Sequence, residues 1–447
     1  MSTEKMDNLI GKIHNGCALI GIIGLGYVGL PLGLAFARKF KVYGYDVNKA
    51  TILNLINGKS HIQDISDNHL LNYVGRSLFP TTNLDDLKKC DFIIICVPTP
   101  LTEDRIPDLN YIKSACKTIA RILRKNQFII LESTTYPGTT EDIAVPILEE
   151  TGLRAGDDFG IAYSPERIDP GNKNFTLEKI PKVVGGFNDI CGRIAAVLYA
   201  SIIDEVVTVR NMKTAESVKM VENIFRNVNI ALMNELALIF ERMGIDIWEV
   251  IDAAATKPYG FMPFYPGPGI GGHCIPLDPF YMSYRAKRFG FIPRFIETSG
   301  EINEYMKMHM VNLTEIGLKH VEKRIYGAKV AVLGLAYKKN INDMRESPAI
   351  KIIEELVNLG AEVRVFDPFI PAITTKMGVF NSMKSISDVL DGVDCAIFLV
   401  DHDLFKGIQL DVLEKLMDTP VVIDGKNLFQ NTEGLVYLGV GKKPKLM

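Results

Sequence analysis

The chain of 447 residues is 47% hydrophobic and 23% charged, a balance that suits folded globular domains and excludes a disordered chain. At roughly 150 residues per domain it holds two to four domains, each large enough for its own core. Fifty basic against 53 acidic side chains leave a formal charge of −3, which offers nothing to nucleic acid or to a membrane surface that attracts polybasic segments.

The first sixteen residues alternate charge with single apolar side chains and hold no apolar run of the kind a secretory signal needs. Ala18 to Ala37 is the longest uncharged stretch, but five Gly and Pro31 suit a buried strand, a glycine turn and a helix start rather than a membrane span. Seven Cys at irregular spacings, without a Cys-x-x-Cys pair, point to a reducing compartment and against disulfides or structural zinc. The expectation is a cytoplasmic protein with no metal, no nucleic-acid partner and no membrane segment.

Short apolar runs predict strands at Ala18 to Ile23, Lys41 to Tyr45, Asp91 to Val97, Phe128 to Leu131 and Gly160 to Tyr163. Their alternation with helical stretches implies βαβ units and a parallel sheet covered on both faces. From Lys213 to Gly244 there is no Pro and no internal Gly, which predicts one helix on the order of 45 Å long ended by Gly244, or else two helices with a kink. A second series, Val330 to Leu333, Glu362 to Phe366, Cys395 to Val400 and Val421 to Asp424, repeats the α/β pattern. The fold class expected is α/β, with two Rossmann-like doubly wound parallel-sheet domains joined by a helical middle domain with a long central helix. Boundaries are expected at 1–211, 212–325 and 326–447, the middle domain carrying the surface of a homodimer.

Gly24-Leu25-Gly26-Tyr27-Val28-Gly29 follows the first strand, and the second strand ends at Asp46, twenty residues beyond Gly26. In that context the first Gly allows a tight turn, the second lets a pyrophosphate approach the backbone, and the third lets helix pack on strand, while Asp46 accepts from a ribose diol. An anionic Asp46 repels a 2′-phosphate, so NAD is expected over NADP, with Lys49 near enough to soften the preference. The second series keeps Gly334 but has Ala336 where the next Gly would stand, so a pyrophosphate site is disfavoured there. Lys338, Lys339 and Arg345 at its mouth suit a nucleotide-linked substrate, or else form a solvated basic loop.

Pro266 to Pro279 is the densest Gly and Pro segment, too broken for a helix or a central strand, and it contains Cys274. The other six, Cys17, Cys90, Cys96, Cys116, Cys191 and Cys395, lie in or beside apolar patterns and are expected to be small core residues. A thiol with an ordinary pKa of about 8.5 needs a drop of about 1.5 units to be half ionised at neutral pH, which one ammonium or a turn of N–H groups supplies. His273 adjoins Cys274, but neighbours in an extended loop point apart, so it is not the expected base. Lys219 and Asn223, four apart, share a face of the long helix, and Glu166 follows a strand end, where parallel sheets meet ligands.

These segments together, with CysValProThrPro from Cys96 to Pro100, GluSerThrThrTyrProGlyThrThr from Glu132 to Thr140, SerProGluArgIleAspProGly from Ser164 to Gly171 and the run from Leu335 to Pro348, resemble the nucleotide-sugar 6-dehydrogenase family across nearly the whole chain. Within it they look most like the UDP-N-acetylglucosamine 6-dehydrogenases of bacterial O-antigen and capsule pathways. The resemblance implies Cys274 as catalytic thiol, with Lys219, Asn223 and Asp278 beside it, and Glu166 and Thr134 as water-orienting groups. It implies NAD on Gly24, Leu25, Gly26, Tyr27, Val28, Gly29, Asp46, Thr99, Thr134 and Arg345, and a UDP-sugar on Glu166, Arg167, Lys219, Asn223, Tyr265, Gly271 and Lys338. One departure is Lys257-Pro258-Tyr259, which stands where the UDP-glucose branch carries an arginine that reaches the substrate from the partner subunit.

The reaction implied is a four-electron oxidation of the C6 alcohol to a carboxylate through a thiohemiacetal and a thioester on Cys274. Three alternatives stay open: the UDP-N-acetylmannosamine epimer as substrate, a single-step β-hydroxyacid dehydrogenase, and a non-catalytic nucleotide-sugar binder. The aromatic segment Tyr259, Phe261, Phe264 and Tyr265 offers surface and hydroxyls to an acetamido group, or packs an interface.

Overall fold

The computed structural model describes residues 3–62, 64–102, 104–168, 175–430 and 432–444. The Asp169-Pro170-Gly171 end of the Ser164 motif lies outside them. The chain forms two compact units, Met1–Glu222 with Phe280–Phe291, and Asn223–Pro279 with Ile292–Met447.

Among the described residues the first unit holds eight strands: β1 (Leu19–Ile23), β2 (Lys41–Tyr45), β3 (Leu78–Thr81), β4 (Phe92–Ile95), β5 (Phe128–Leu131), β6 (Gly160–Tyr163), β7 (Lys182–Gly186) and β8 (Val206–Val209). They form one sheet in the order β3-β2-β1-β4-β5-β6-β7-β8, parallel except where β7 runs against β6. The chain steps outward in opposite directions from β1 and β4, and a crevice at such a switch point is where open α/β sheets bind ligands. Ile20, Ile22, Ile94 and Ile130 are fully buried, each contributing roughly 1.5–3 kcal/mol over an exposed position.

The second unit carries β9 (Lys329–Leu333), β10 (Glu362–Phe366), β11 (Ala372–Thr375), β12 (Gly378–Asn381), β13 (Cys395–Phe398), β14 (Val421–Asp424) and β15 (Val436–Gly439). Five make a parallel sheet, β10-β9-β13-β14-β15, and β11 with β12 forms an antiparallel hairpin. Val330, Val332, Ile397 and Ile423 are wholly buried in its core.

The central helix runs unbroken from Met212 to Met243, about 48 Å at the helical rise, so the two-helix alternative is not what forms. The Asn211 side chain caps its start, accepting from Thr214 N at 2.8 Å. Gly244, at φ +74, ends it. Among the described residues no helix is long and apolar enough to cross a membrane, and Ala18 to Ala37 divides into β1, the glycine turn and the helix Gly29–Ala37. One expectation fails: Cys17 is exposed, because it stands in the turn between the first helix and β1.

Candidate active site

The first unit places the glycine turn at the carboxyl end of β1. Gly24 has φ +91, and a Cβ there would stand 2.6 Å from Cys96 O, while a Cβ on Gly29 would stand 1.8 Å from Gly24 O. Nothing lies within 4 Å of a Cβ built on Gly26, so the backbone there is open to a close ligand. Asp46 at the end of β2 ties the turn down, its Oδ2 accepting from Leu25 N at 2.9 Å and its Oδ1 from Asn48 N at 2.8 Å. A carboxylate has lone pairs to spare beyond these two bonds, so Asp46 keeps the capacity to accept a further hydrogen bond. The helix Gly29–Ala37 begins at Val28, which supplies no side-chain cap; Leu30 N donates to Gly26 O at 3.1 Å, and Pro31 has no N–H. These residues fit a dinucleotide. Thr99, buried after β4, is held by its carbonyl, which accepts from Tyr281 OH at 2.5 Å.

Two strand ends farther along, β5 leads into the loop carrying half-buried Thr134. This loop is pinned by Glu216 of the central helix, whose carboxylate accepts from Gly138 N at 2.5 Å, Thr140 N at 2.8 Å and Thr140 Oγ1 at 2.7 Å. Burial pushes the Glu216 carboxyl up to about 7 against those three donors. Glu166 follows β6 and is 6% exposed. Arg167 beside it turns to Glu222, at 2.7 Å, and to Pro181 O, at 2.5 Å, so its fork is engaged within the protein. Lys219 is buried on the central helix, one turn before Asn223.

The second unit builds the thiol loop against a ladder of asparagines. Asn223 Nδ2 donates to Asp278 Oδ2 at 2.6 Å, and Asn227 Nδ2 donates to Ile275 O at 3.0 Å. Gly267 N donates to Asn234 Oδ1 at 2.9 Å, so the loop is held at both ends and in between. The ladder is braced behind by Ser299 Oγ on Asn227 Oδ1 at 2.8 Å and by Asn234 Nδ2 on Asn303 Oδ1 at 2.9 Å. Within the loop Asp278 N donates to Cys274 O at 2.8 Å, a turn that leads straight into the helix Asp278–Arg288.

Two glycines let this loop approach the second glycine turn. A Cβ on Gly271 would lie 2.6 Å from Tyr337 Cβ, and Gly272, at φ +86, faces the Tyr337 ring; Gly272 N donates to Arg345 O at 2.9 Å. Arg345 itself forks onto Asp343, at 2.6 Å, and Lys338 is half-buried beside Tyr337. Tyr265 stacks on Trp248 at 5.5 Å and donates to Asp252 at 3.0 Å, and Tyr259 is exposed.

Cys274 is half-buried, whereas Cys90, Cys96, Cys116, Cys191 and Cys395 are buried. Burial pushes the Cys90 and Cys116 thiols up to about 12 and raises those of Cys96, Cys191 and Cys395, which removes five thiolates at neutral pH. The sequence did not single out Glu216, Asn227 or Asn234. Their signal is that all three fall, with Lys219 and Asn223, on one face of the central helix.

Residues 18–203, 213–305 and 331–431 match, in order, the NAD binding domain, the central domain and the UDP binding domain of the UDP-glucose/GDP-mannose dehydrogenase family. The chain is 39% identical to the protein CapL of Staphylococcus aureus, over 93% of this chain and 97% of that one. It is 38% identical to a UDP-N-acetyl-D-glucosamine 6-dehydrogenase of Pseudomonas aeruginosa, over 89% and 93%. Among solved structures, a UDP-D-ManNAc dehydrogenase from Pyrococcus horikoshii superposes with a TM-score of 0.89 at 35% identity, covering 95% of this chain and 99% of that one. A glycine turn tied down by an acid, inside the first of three domains matched in order, makes the chain a member of the UDP-glucose/GDP-mannose dehydrogenase family, with NAD as its cofactor.

Proposed function

We propose that the chain oxidises the C6 alcohol of UDP-N-acetylglucosamine to the carboxylate, giving UDP-N-acetylglucosaminuronic acid in a four-electron reaction for surface polysaccharide synthesis. The observation that carries the reading is the thiol loop: of seven Cys, Cys274 sits in a backbone fixed by Asn227 and Asn234 with the Asn223–Asp278 pair beside it. A single-step hydroxyacid oxidation calls for no such thiol.

The glycine turn and Asp46 would hold NAD, which would supply the hydride acceptor for both oxidations. The rest is work for the side chains. Lys219 takes up the proton of the C6 hydroxyl as its free amine, and Asn223 steadies the oxygen by donating an N–H, with Asp278 orienting Asn223. The Cys274 thiolate adds to the aldehyde, and the thiohemiacetal becomes a thioester at the second oxidation. Thr134 and Glu166 then orient a water whose oxygen bonds to the acyl carbon; the C–S bond breaks, sulfur keeps the electron pair, and one water proton passes to Glu166. An oxyanion donor such as Asn223 contributes about 3 kcal/mol to such a barrier.

The division at 1–211, 212–325 and 326–447, the remaining NAD and UDP-sugar contacts named above, and a cytoplasmic homodimer belong to the same proposal. For the sugar, the 38% identical Pseudomonas protein supports the glucosamine reading. The TM-score of 0.89 to a UDP-D-ManNAc dehydrogenase supports the mannosamine epimer as a second reading. NADH release compared across UDP-N-acetylglucosamine, UDP-N-acetylmannosamine, UDP-N-acetylgalactosamine and UDP-glucose tests both. The highest kcat/KM with the first supports the proposal, with the second it moves the substrate to the epimer, and with UDP-glucose it overturns the acetamido reading.

A further inference from the structure

Behind Glu166 the first unit buries a cluster of charge that the reaction above does not use. The Lys182 ammonium, at the start of β7, bonds to Glu132 Oε1, and the other oxygen of Glu132 accepts from Tyr199 OH at 2.7 Å. The same ammonium lies 3.9 Å from Glu166 Oε2, an atom without a hydrogen-bond partner among the described residues. Glu166 Oε1 accepts from Ile168 N. Glu132 is fully buried, Lys182 4% exposed and Glu166 6% exposed. One ammonium therefore serves two carboxylates out of reach of bulk water, where an uncompensated charge costs several kcal/mol.

We infer that Lys182 is a positioning residue for the hydrolytic half of the reaction: it holds Glu166 as the carboxylate that receives the water proton, and Glu132 competes for it and sets how much of its charge Glu166 has. The inference rests on the proposed thioester mechanism. Other groups facing the cluster are Cys96, its thiol raised by burial, and Tyr199, raised by burial and by Glu132. Lys182 also stands 5.1 Å from the Tyr199 ring centre. Arg167, next to Glu166, is neutralised by Glu222. Burial pushes the Glu132 carboxyl up to about 7 in spite of Lys182, and Glu132 and Glu166 together outweigh burial in raising the Lys182 ammonium.

The geometry sets opposite signs for two substitutions. In Lys182→Met, Glu166 loses its counter-charge in a buried site, so the acid limb of the kcat–pH profile moves up. Once the limb has passed pH 7, hydrolysis at that pH falls about tenfold for each further unit, while KM for the UDP-sugar stays within about twofold. In Glu132→Gln the whole ammonium falls to Glu166, and the limb moves down. Lys182→Arg returns it toward the parent position. Rapid-quench kinetics on Lys182→Met should show two NADH released per site in the first turnover, then slow decay of a covalent adduct. Limbs that stay in place, or that move in the same direction in both variants as general loosening would produce, overturn the inference. If Lys182→Met does not fold, Glu132→Gln decides alone, an unmoved or raised limb being the contrary result. The parent protein separates the two levels. Failure to form two NADH from any UDP-sugar removes the mechanism itself, whereas normal turnover with unmoved limbs removes only the role of Lys182.

Discussion

Cys274 and Asp46 each stand in a segment whose composition exposes them: one in the Gly and Pro loop, the other ending a strand twenty residues past a glycine turn. Replacing Cys274 by Ser keeps the loop and its hydrogen bonds but removes the nucleophile. Turnover should fall by more than about a hundredfold, with NAD affinity unchanged by calorimetry; full two-step turnover would show that the thiol is not the nucleophile. Asp46→Ala should erode the preference for NAD over NADP, read as the ratio of kcat/KM for the two, because the repulsion of a 2′-phosphate goes with the carboxylate. It should also loosen the turn, since Leu25 N loses its acceptor. An unchanged ratio would assign the preference to another group. Glu216, Glu132 and Lys182 were not legible in this way. Each is a lone charged residue whose partner lies 50 to 78 residues away in the chain, and neither spacing nor composition records a contact that only the folded sheet creates.

At the scale of elements, the strands that read clearly from the sequence are those buried on both faces. β1, β4, β5 and β13 are unbroken apolar runs, and β1 and β4 meet at the switch point that positions the glycine turn. The strands that did not read are mostly at edges. β3 carries Pro80 at the end of its sheet, β8 at the other end has no buried residue, and β15 closes the second sheet. β7 is internal but begins with Lys182 and ends in two glycines, which hides it among loops. The long helix was legible because 32 residues pass without Pro or Gly, yet what it carries was only half visible. Asn227→Leu leaves Ile275 O and Ser299 Oγ short of a partner and should cost about 2 kcal/mol of stability, with kcat falling more than KM rises because the thiol loop is no longer held. A loss confined to thermal stability would make the ladder purely structural. Glu216 adds a pH dependence. Its carboxyl titrates at about 7 when folded and near 4.5 when unfolded, so the folded state binds the extra proton between those values. Its contribution to stability is therefore full below pH 4.5 and is lost as pH rises through 7, by roughly 3 kcal/mol at most. Glu216→Gln should flatten that part of the denaturation–pH curve, whereas an unchanged curve would locate the dependence elsewhere.

Over the whole molecule, the central helix joins these observations. At about 100° per residue, Glu216, Lys219, Asn223, Asn227 and Asn234 share one face, and the exposed apolar Val221, Phe225, Leu232, Ile239 and Met243 recur along the opposite one. One face holds the Thr134 loop and the thiol loop by hydrogen bonds. The other fits the homodimer proposed above, and sedimentation should give twice the chain mass, reduced to one in Phe225→Glu with Leu232→Glu; a monomeric parent would contradict it. The order of domains was legible from the alternation of strands and helices, and the thiol loop stood out by its composition, but the sugar at C2 was not legible. That choice rests on which polar groups line a pocket, and aromatic residues such as Tyr265 read alike whether they meet a ligand or, as with its stacking on Trp248, a neighbouring side chain. The central claim is that one thiol-dependent site carries the sugar through two successive oxidations. It is tested most directly by counting NADH formed per UDP-N-acetylglucosamine consumed, with the product's charge followed by anion exchange. Two NADH per sugar and an added carboxylate are the predicted result; one NADH per sugar, with an aldehyde or ketone as product, would contradict it.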